Sequence, residues 1–113
     1  MPIGDWTVRL TEAAEADFID ILRWTKWRFG DGQARVYGRT LRYAITSLAG
    51  GPTVPGARPR PEIAAGYFTL HVARGGRKGR HFLLFATIET EHPRRIEVLR
   101  ILHDAMDLRR HLP

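Results

Sequence analysis

Apolar and polar residues alternate at the start of the chain and then change to a helical spacing. Every second residue from Trp6 to Leu10 is apolar, which is the period of a strand with one buried face. Beyond this strand the apolar residues recur every three or four positions until Gly30, with acidic residues first and basic residues last. This pattern predicts a helix over about residues 12–29, with the hydroxyl of Thr11 as its N-cap.

A second helical segment follows after a very short connection. Its apolar stripe begins after Asp31 and is closed by Gly50-Gly51-Pro52. Because only about two residues separate the two segments, we expect them to pack as an antiparallel helical hairpin. Residues 50–61 contain three Gly and four Pro, so we interpret them as an extended loop within one domain.

Three strand-like segments complete the pattern. Residues 66–74 alternate between apolar and polar positions, which is typical of a half-buried strand. Residues 80–89 and 95–103 are apolar on both faces over most of their length, as central strands are. Gly75–Gly79 and Thr90–Pro93 supply the turns between them. The predicted order is β-α-α-β-β-β, an α+β fold in which an antiparallel sheet packs on the helical hairpin.

The size of the chain limits how this pattern is organised. A chain of 113 residues is long enough for one compact domain and too short for two, so residues 1–113 are interpreted as a single domain. Its last segment, Asp104–Leu112, is expected to form a helical turn. The longest apolar run, Phe82–Ile88, is far below the ~20 residues of a membrane span. The N-terminal residues, which include Asp5, lack the pattern of a signal peptide, so the expected location is the cytoplasm, with no membrane partner.

Missing residue types exclude several classes of chemistry. The chain has no Cys, which excludes disulfides, thiolate metal sites and a Cys nucleophile. Its one Ser, Ser47, lies in the second predicted helix, where we expect its hydroxyl to bond to the preceding turn rather than to act as a nucleophile. The five His show no spacing that would bring two imidazoles onto one helical face. We therefore expect neither a metal site nor a cofactor.

The net charge of +6 is unevenly distributed along the chain. Residues 1–50 hold seven basic and six acidic residues, whereas residues 51–113 hold eleven basic and six acidic residues. All but two of the basic residues are Arg, whose planar guanidinium suits phosphate and carboxylate partners. The excess therefore indicates a surface in the second half that attracts either nucleic acid or an acidic protein.

Short motifs occur in a fixed order along the whole chain, and the ending is the most specific of them. They are Arg9-Leu10-Thr11, Phe18-x-x-Ile21, Phe29-Gly30, Gln33-Ala34-x-x-Tyr37 with Leu41, Gly56-x-Arg58, Gly66-Tyr67, Gly79-Arg80-His81-Phe82-Leu83-Leu84-Phe85, and Leu102-His103-x-x-Met106-Asp107-x-x-x-His111-Leu112. In this order the motifs resemble the RelE/ParE superfamily of toxins from bacterial type II toxin–antitoxin systems, and its ParE branch most closely.

The resemblance implies a toxin that a cognate antitoxin keeps inactive by wrapping it with its C-terminal segment. Members of the ParE branch act on DNA gyrase and trap it on cleaved DNA, whereas members of the RelE branch cut messenger RNA on the ribosome. The leading hypothesis is a ParE-like gyrase inhibitor without a catalytic site of its own. Its expected partner is a ParD-like antitoxin, in a hetero-oligomeric complex that contacts operator DNA only through the antitoxin.

Two alternatives accompany this hypothesis. In the RNase branch a key arginine stands three residues before the aromatic that ends the third-strand motif, and counting back from Phe85 that position is Phe82. A ribosome-dependent endoribonuclease would therefore have to use Arg80, His81 and His103 for proton transfer and phosphate binding. The other alternative is a decayed toxin that acts only as a binding and repression module.

Basic side chains of the second half and aromatic side chains of the first helix are the candidates for contact with the antitoxin or the target. They are Trp24, Trp27, Arg58, Arg74, Arg77, Lys78, Arg80, Arg100 and Arg109. Arg100 interrupts an apolar strand, so it must be paired or face an open surface. Glu97 or Asp107 is the simple partner, and an antitoxin carboxylate is the alternative. His103 is expected to pack against the tail or to bond a backbone carbonyl.

Overall fold

The computed structural model describes residues 6–106, in which the elements follow the predicted order with one addition. The elements are β1 (Thr7–Leu10), α1 (Glu12–Phe29), α2 (Asp31–Ser47), β2 (Arg58–Pro59), β3 (Tyr67–His71), β4 (His81–Ile88) and β5 (Arg95–His103). A 3₁₀ turn, Leu48–Gly50, extends the end of α2. The addition is β2, which belongs to the predicted loop and pairs with β3. Of the predicted segment Asp104–Leu112, residues 107–112 lie outside the described part.

Thr11 and Gly30 set the ends of α1, as the sequence predicts. The Thr11 hydroxyl oxygen accepts the Ala14 N–H at 3.2 Å and donates to the carbonyl of Leu99 in β5 at 2.9 Å, so it caps the helix and ties it to the sheet. Gly30 has a φ of +95°, which favours glycine, and its N–H donates to the carbonyl of Lys26. The chain can therefore leave α1 and begin α2 one residue later.

The two helices pack as the predicted antiparallel hairpin. Lys26 near the end of α1 lies 3.5 Å from Asp31 at the start of α2. Further back in α1, the ring of Phe18 lies beneath the guanidinium of Arg42, at 5.8 Å, near the end of α2. Contacts that move backwards along α1 while they move forwards along α2 define an antiparallel pair.

The sheet has the strand order β1-β5-β4-β3-β2 within residues 6–106. The strands from β2 to β5 pair antiparallel, as expected, but β1 pairs parallel with β5, with Val8 opposite Ile96. The expectation of an antiparallel sheet is therefore wrong for β1, and the sheet is mixed. Parallel neighbours need a long crossover, and the helical hairpin together with the meander provides it.

The apolar stripes of the helices and one face of the sheet form the core. The fully buried side chains include Leu41 and Ala44 of α2, and the stacked rings of Phe68 and Phe85 lie 5.4 Å apart in the sheet. The Ser47 hydroxyl donates to the carbonyl of Ala44 at 2.7 Å, which confirms the predicted bond to the preceding turn. Neither helix of the described part is long and apolar enough to cross a membrane.

A β-bulge in β5 lies next to the residues that concern function. Leu84 of β4 pairs with Arg100, but the adjacent Phe85 pairs with Val98, so Leu99 is the extra residue. Bulges bend the strand and redirect the side chains around them. Arg100 follows this bulge directly.

Candidate partner-binding groove

An open groove runs between the two helices, the connection from β3 to β4, and the end of β5. Its lining comes from both helices, from residues 76–80, from Arg100–His103 and from Met106. The volume is about 1090 Å³, at the upper end of the ~300–1,000 Å³ typical of small-molecule sites. A space of this size and openness suits a segment of polypeptide, and we call it the groove.

Large apolar side chains are exposed inside the groove. Trp24 and Phe29 of α1 contact each other edge to face, with ring centroids 5.7 Å apart. Val36 of α2 and Met106 line the same space. These four side chains keep between 45% and 58% of their surface exposed. Contiguous apolar surface of this kind marks an interaction site rather than a solvated helix face.

The inner pair, Asp17 with Arg100, joins α1 to β5 at the groove. The Arg100 Nε and Nη2 atoms donate to the two carboxylate oxygens of Asp17 at 2.8 and 3.0 Å. The backbone N–H of Ile101 donates to the same carboxylate at 2.9 Å. Both side chains are largely buried, with 16% of Asp17 and 26% of Arg100 exposed. Asp17 thus holds a guanidinium and a backbone amide in one fixed arrangement.

The outer pair, Arg80 with Asp104, lies at the rim of the groove. The Arg80 Nε and Nη2 atoms donate to the Asp104 carboxylate at 3.1–3.2 Å. His71 Nδ1 accepts the N–H of Ala73, so its Nε2–H donates to Asp104 at 3.0 Å. The hydrogen bonds from Arg80 and His71 lower the pKa of Asp104 to about 2. This carboxylate is therefore charged at any pH near neutrality.

Tyr37 and two histidines form a hydrogen-bonded cluster beside the outer pair. The Arg80 backbone N–H donates to the Tyr37 hydroxyl at 3.2 Å, and that hydroxyl is hydrogen-bonded to Nδ1 of His81 at 2.6 Å. The rings of His81 and His103 meet edge to face, with centroids 5.3 Å apart. Burial, with a smaller contribution from His103, lowers the pKa of His81 to about 4. His81 is therefore neutral near pH 7.

Gly79 permits the close approach of the β3–β4 connection to α2. A Cβ at this position would lie 2.7 Å from Val72 and 2.9 Å from the Tyr37 ring. Either distance is too short for two heavy atoms that are not bonded. Glycine is thus required where this connection closes the groove over Tyr37.

The structure brings some of the predicted residues together and separates others. The groove is lined by Trp24, Arg77, Lys78, Arg80, Arg100, His81 and His103. Trp27 does not line it and is 79% exposed. Arg58 lies in the edge strand β2, and Arg74 donates to the Ser47 hydroxyl at 3.2 Å outside the groove lining. Arg109 lies outside the described residues.

The partner expected for Arg100 changes, whereas His103 follows one of its two expected arrangements. Arg100 pairs with Asp17 rather than with Glu97, which instead lies 3.7 Å from Arg95, while Asp107 is outside the described part. The sequence did not suggest Asp17 because the contact joins residues 83 positions apart. His103 contacts the start of the tail, since its Nδ1 atom accepts the N–H of Ala105.

Sequence reasoning also missed Val36, Tyr37 and Met106 as parts of the groove. Tyr37 was noted for its place in the apolar stripe of α2, and only its distance to His81 shows its second contact. Val36 is an apolar residue on the otherwise polar side of α2, and this exception was the available signal.

The groove combines histidine side chains with apolar and cationic ones. His81 and His103 lie side by side in its lining, and the Nδ1 atom of His103 accepts the N–H of Ala105. Within residues 6–106, no group of three or more His, Asp or Glu side chains is arranged to hold a metal ion. The groove offers apolar contact along its length and the cations Arg77 and Lys78 at its rim.

Comparison with known proteins decides the family. The sequence model of the ParE toxins of type II toxin–antitoxin systems (parDE) matches residues 8–108, nearly the whole chain. The chain belongs to the ParE toxin family. Toxin ParE1 of Caulobacter vibrioides is 32% identical over 104 residues, which cover 92% of this chain and 95% of that protein. Toxin ParE1 of Mycobacterium tuberculosis is 36% identical over 103 residues, which cover 91% and 94%.

Solved structures share the ParE fold of this chain. A chain of the chromosomal ParDE toxin–antitoxin system from P. aeruginosa matches with a TM-score of 0.68 and 19% identity, over 87% of this chain and 95% of that one. A chain of the RelBE2 toxin–antitoxin complex from Mycobacterium tuberculosis matches with a TM-score of 0.58 and 22% identity, over 93% and 98%. The YoeB/ParE toxin from Agrobacterium tumefaciens matches with a TM-score of 0.59 and 16% identity, over 86% of this chain and 96% of that one. The chain is thus a type II toxin of the ParE family, with a fold that ParE and RelE proteins share.

Proposed function

We propose that a ParD-like antitoxin neutralises this toxin by placing an amphipathic helix in the groove. The observation that carries the proposal is the row of exposed apolar side chains formed by Trp24, Phe29, Val36 and Met106. Helices that bind in grooves bury an apolar face with residues spaced at i, i+3, i+4 and i+7. The P. aeruginosa structure that shares the fold comes from a ParDE system, which agrees with this kind of partner.

Charge at the rim indicates the chemistry of that helix. Arg77 and Lys78 line the groove, and neither has a carboxylate within 4.0 Å among residues 6–106. Arg80 and Arg100, by contrast, are already paired with Asp104 and Asp17. An antitoxin helix with an acidic residue next to its apolar face therefore meets Arg77 and Lys78 first.

Two tryptophans on α1 test where the antitoxin binds. Trp24 lines the groove, whereas Trp27 is more exposed and is not part of the groove lining. We expect Trp24→Ala to weaken binding of the cognate antitoxin about 30-fold, or about 2 kcal/mol, as for aromatic residues at the centre of an interface. Trp27→Ala is the matched control and is expected to change the affinity by less than ~3-fold. Calorimetric titration measures both, and a larger loss for Trp27→Ala would place the interface elsewhere.

We propose DNA gyrase as the target, because the ParE branch that the sequence resembles acts on gyrase. The structure supports action by protein contact, since the groove is built for binding and Phe82 occupies the position of the arginine that the RNase branch uses. Purified toxin is expected to inhibit supercoiling by gyrase and to accumulate cleaved DNA. Unchanged supercoiling at a toxin concentration that stops growth would contradict this target.

A ribosome-dependent endoribonuclease is the second candidate, favoured by one observation. His81 and His103 lie opposite each other on β4 and β5, and Arg80 precedes His81. The outer pair and the low pKa of His81 weaken this candidate, because Arg80 is bound to Asp104 and a His81 that is neutral near pH 7 cannot act as a general acid. If cleavage of ribosome-bound message occurs and His103→Ala abolishes it, this candidate replaces gyrase inhibition.

A further inference from the structure

The two helices differ in the sign of their net charge: α1 has more acidic than basic residues, and α2 has more basic than acidic ones. The near-neutral total of residues 1–50 does not show this difference. The first half of α1 contains the acids Glu12, Glu15, Asp17 and Asp20. The α2 helix has a single acid, Asp31, at its first residue, where it pairs with Lys26 of α1. No acidic residue follows between positions 32 and 47. Every charged residue of α2 after Asp31 is therefore basic.

Three arginines of α2 lie on one stripe that faces away from the core. Arg35, Arg39 and Arg42 are spaced at i, i+4 and i+7, and all three are exposed. The buried Leu41 and Ala44 lie on the opposite side of the helix. At about 1.5 Å per residue, the stripe extends over roughly 10 Å of the helix axis.

The connection from β3 to β4 continues this stripe. The guanidinium of Arg77 stacks on the ring of Tyr43, with its carbon 4.6 Å from the ring centroid. Arg74 donates to the hydroxyl of Ser47 at the end of α2. Lys78 follows Arg77 and is exposed. We call the surface formed by Arg35, Arg39, Arg42, Arg74, Arg77 and Lys78 the basic face.

The cations of the basic face have no internal counter-charge. Among residues 6–106, none of the six has a carboxylate oxygen within 4.0 Å. The arginines of the inner and outer pairs show that this chain does neutralise guanidinium groups elsewhere. A surface of six such cations attracts an anionic partner.

We propose that the basic face binds the phosphodiester backbone of nucleic acid without reading the base sequence. Protein interfaces have cores depleted of charge and rich in apolar anchors, whereas nucleic-acid interfaces are polar and strongly basic. The basic face fits the second description, because its stripe on α2 holds no apolar residue and Tyr43 is its aromatic group. Contact of this kind differs from operator recognition through an antitoxin, since the toxin itself holds the nucleic acid through its arginines and Lys78.

Binding to labelled nucleic acid at several salt concentrations tests the proposal. The probes are a labelled 20-base-pair DNA duplex and a labelled single-stranded RNA of 20 nucleotides. Fluorescence anisotropy measures how tightly the full chain binds each probe. We expect the logarithm of the association constant to fall linearly with the logarithm of the salt concentration. For the duplex, the slope is about −0.9 for each phosphate that is neutralised. The triple variant Arg35→Gln/Arg39→Gln/Arg42→Gln should bind at least tenfold more weakly at low salt, with a salt slope smaller by about 2 to 3. The stronger of the two probes identifies which nucleic acid the face prefers.

A charge-matched control separates the basic face from the net charge. Arg9→Gln/Arg23→Gln/Arg58→Gln removes three exposed arginines from β1, α1 and β2. We expect this control to weaken binding by less than threefold, and the single variant Arg39→Gln serves if the triple variant is unstable. Equal losses in both triple variants, no binding by the wild type at low salt, or equal binding to poly-glutamate or to anionic vesicles would overturn the proposal.

Measuring the affinity for the antitoxin distinguishes a failure of this proposal from a failure of the function proposed above. Arg35, Arg39 and Arg42 do not line the groove. Their triple variant is therefore expected to bind the antitoxin with unchanged affinity while it loses nucleic acid. Arg77 and Lys78 lie at the groove and are shared with the antitoxin contact proposed above. A loss of both activities in the α2 variant would show that the antitoxin also covers the arginines of α2, and it would contradict the separate assignment of that stripe to nucleic acid.

Discussion

The inner and outer pairs have the same chemistry and different surroundings. In each, a guanidinium donates through Nε and Nη2 to one aspartate. Arg100 and Asp17 are largely buried between α1 and β5, whereas the Arg80 side chain is 70% exposed at the rim. Asp17 also accepts a backbone N–H from Ile101 of β5.

The difference shows that geometry alone does not assign a role to an ion pair. A buried pair that loses one partner leaves a charge without water or counter-ion, so its removal is costly. An exposed pair exchanges its partner for water at little cost and is screened by salt. We therefore expect the inner pair to hold α1 on the sheet and the outer pair to tune the rim of the groove.

Removal of Asp17 should have the largest effect. Asp17→Ala removes the carboxylate that accepts from Arg100 Nε and Nη2 and from the Ile101 N–H, so we expect the free energy of unfolding to fall by about 2–4 kcal/mol. Asp20→Ala, one turn away on the same helix and exposed, should change it by less than about 0.5 kcal/mol. Urea denaturation followed by circular dichroism measures both variants. Similar losses at the two positions would remove the distinction between the inner pair and an ordinary surface acid.

Acid should destabilise the fold through His81, beside the outer pair. The pKa of His81 is about 4 in the folded chain and near 6.5 when unfolded, so the unfolded state binds more protons between these values. Stability is therefore expected to fall as the pH drops from about 6.5 to about 4, and to be insensitive to this group above pH 7. The histidine proton resonances give the midpoint directly, and His81→Gln should flatten the pH dependence of unfolding. A midpoint of 6 or higher for His81 would contradict this expectation.

Removal of Asp104 should have the smallest effect. Because the pKa of Asp104 is lowered to about 2, any stability that it contributes is present above pH 4 and is lost as the pH falls through 2. We expect Asp104→Asn to shift the thermal midpoint at pH 7 far less than Asp17→Ala, and 0.5 M salt to remove most of that shift. Thermal melts of both variants at low and high salt make the comparison. A shift as large as that of Asp17→Ala would show that the outer pair is also structural.

Local signals made most of the fold predictable from the sequence. The bounds of α1 follow from Thr11 and Gly30, which act within a few residues of the helix ends. The bounds of β5 follow from residues 95–103, which are apolar on both faces over most of their length. The parallel pairing of β1 could not be predicted, because the packing of the whole sheet decides which strand lies beside it. The four residues of β1 carry no local signal for that partner or its direction.

The groove was predictable only in part for the same reason. Trp24 was identified because α1 carries more aromatic surface than one stripe can bury, and Arg100 because it interrupts an apolar strand. The partner of Arg100 was missed because Asp17 lies 83 residues earlier in the chain. The basic face was missed because charge was summed over residues 1–50, where the acids of α1 cancel the arginines of α2.

The parallel pairing of β1 with β5 also bears on how the toxin is made. Val8 pairs with Ile96, and the Thr11 N–H donates to the carbonyl of Val98, so β1 joins the sheet only through β5. During synthesis β1 has no neighbour in the sheet until β5 has been translated. The ion pair between Asp17 and Arg100 likewise forms only after Arg100 has been synthesised. Chains that stop before residue 95 therefore lack β5, the strand that joins β1 to the rest of the sheet, and with it the Arg100–His103 lining of the groove.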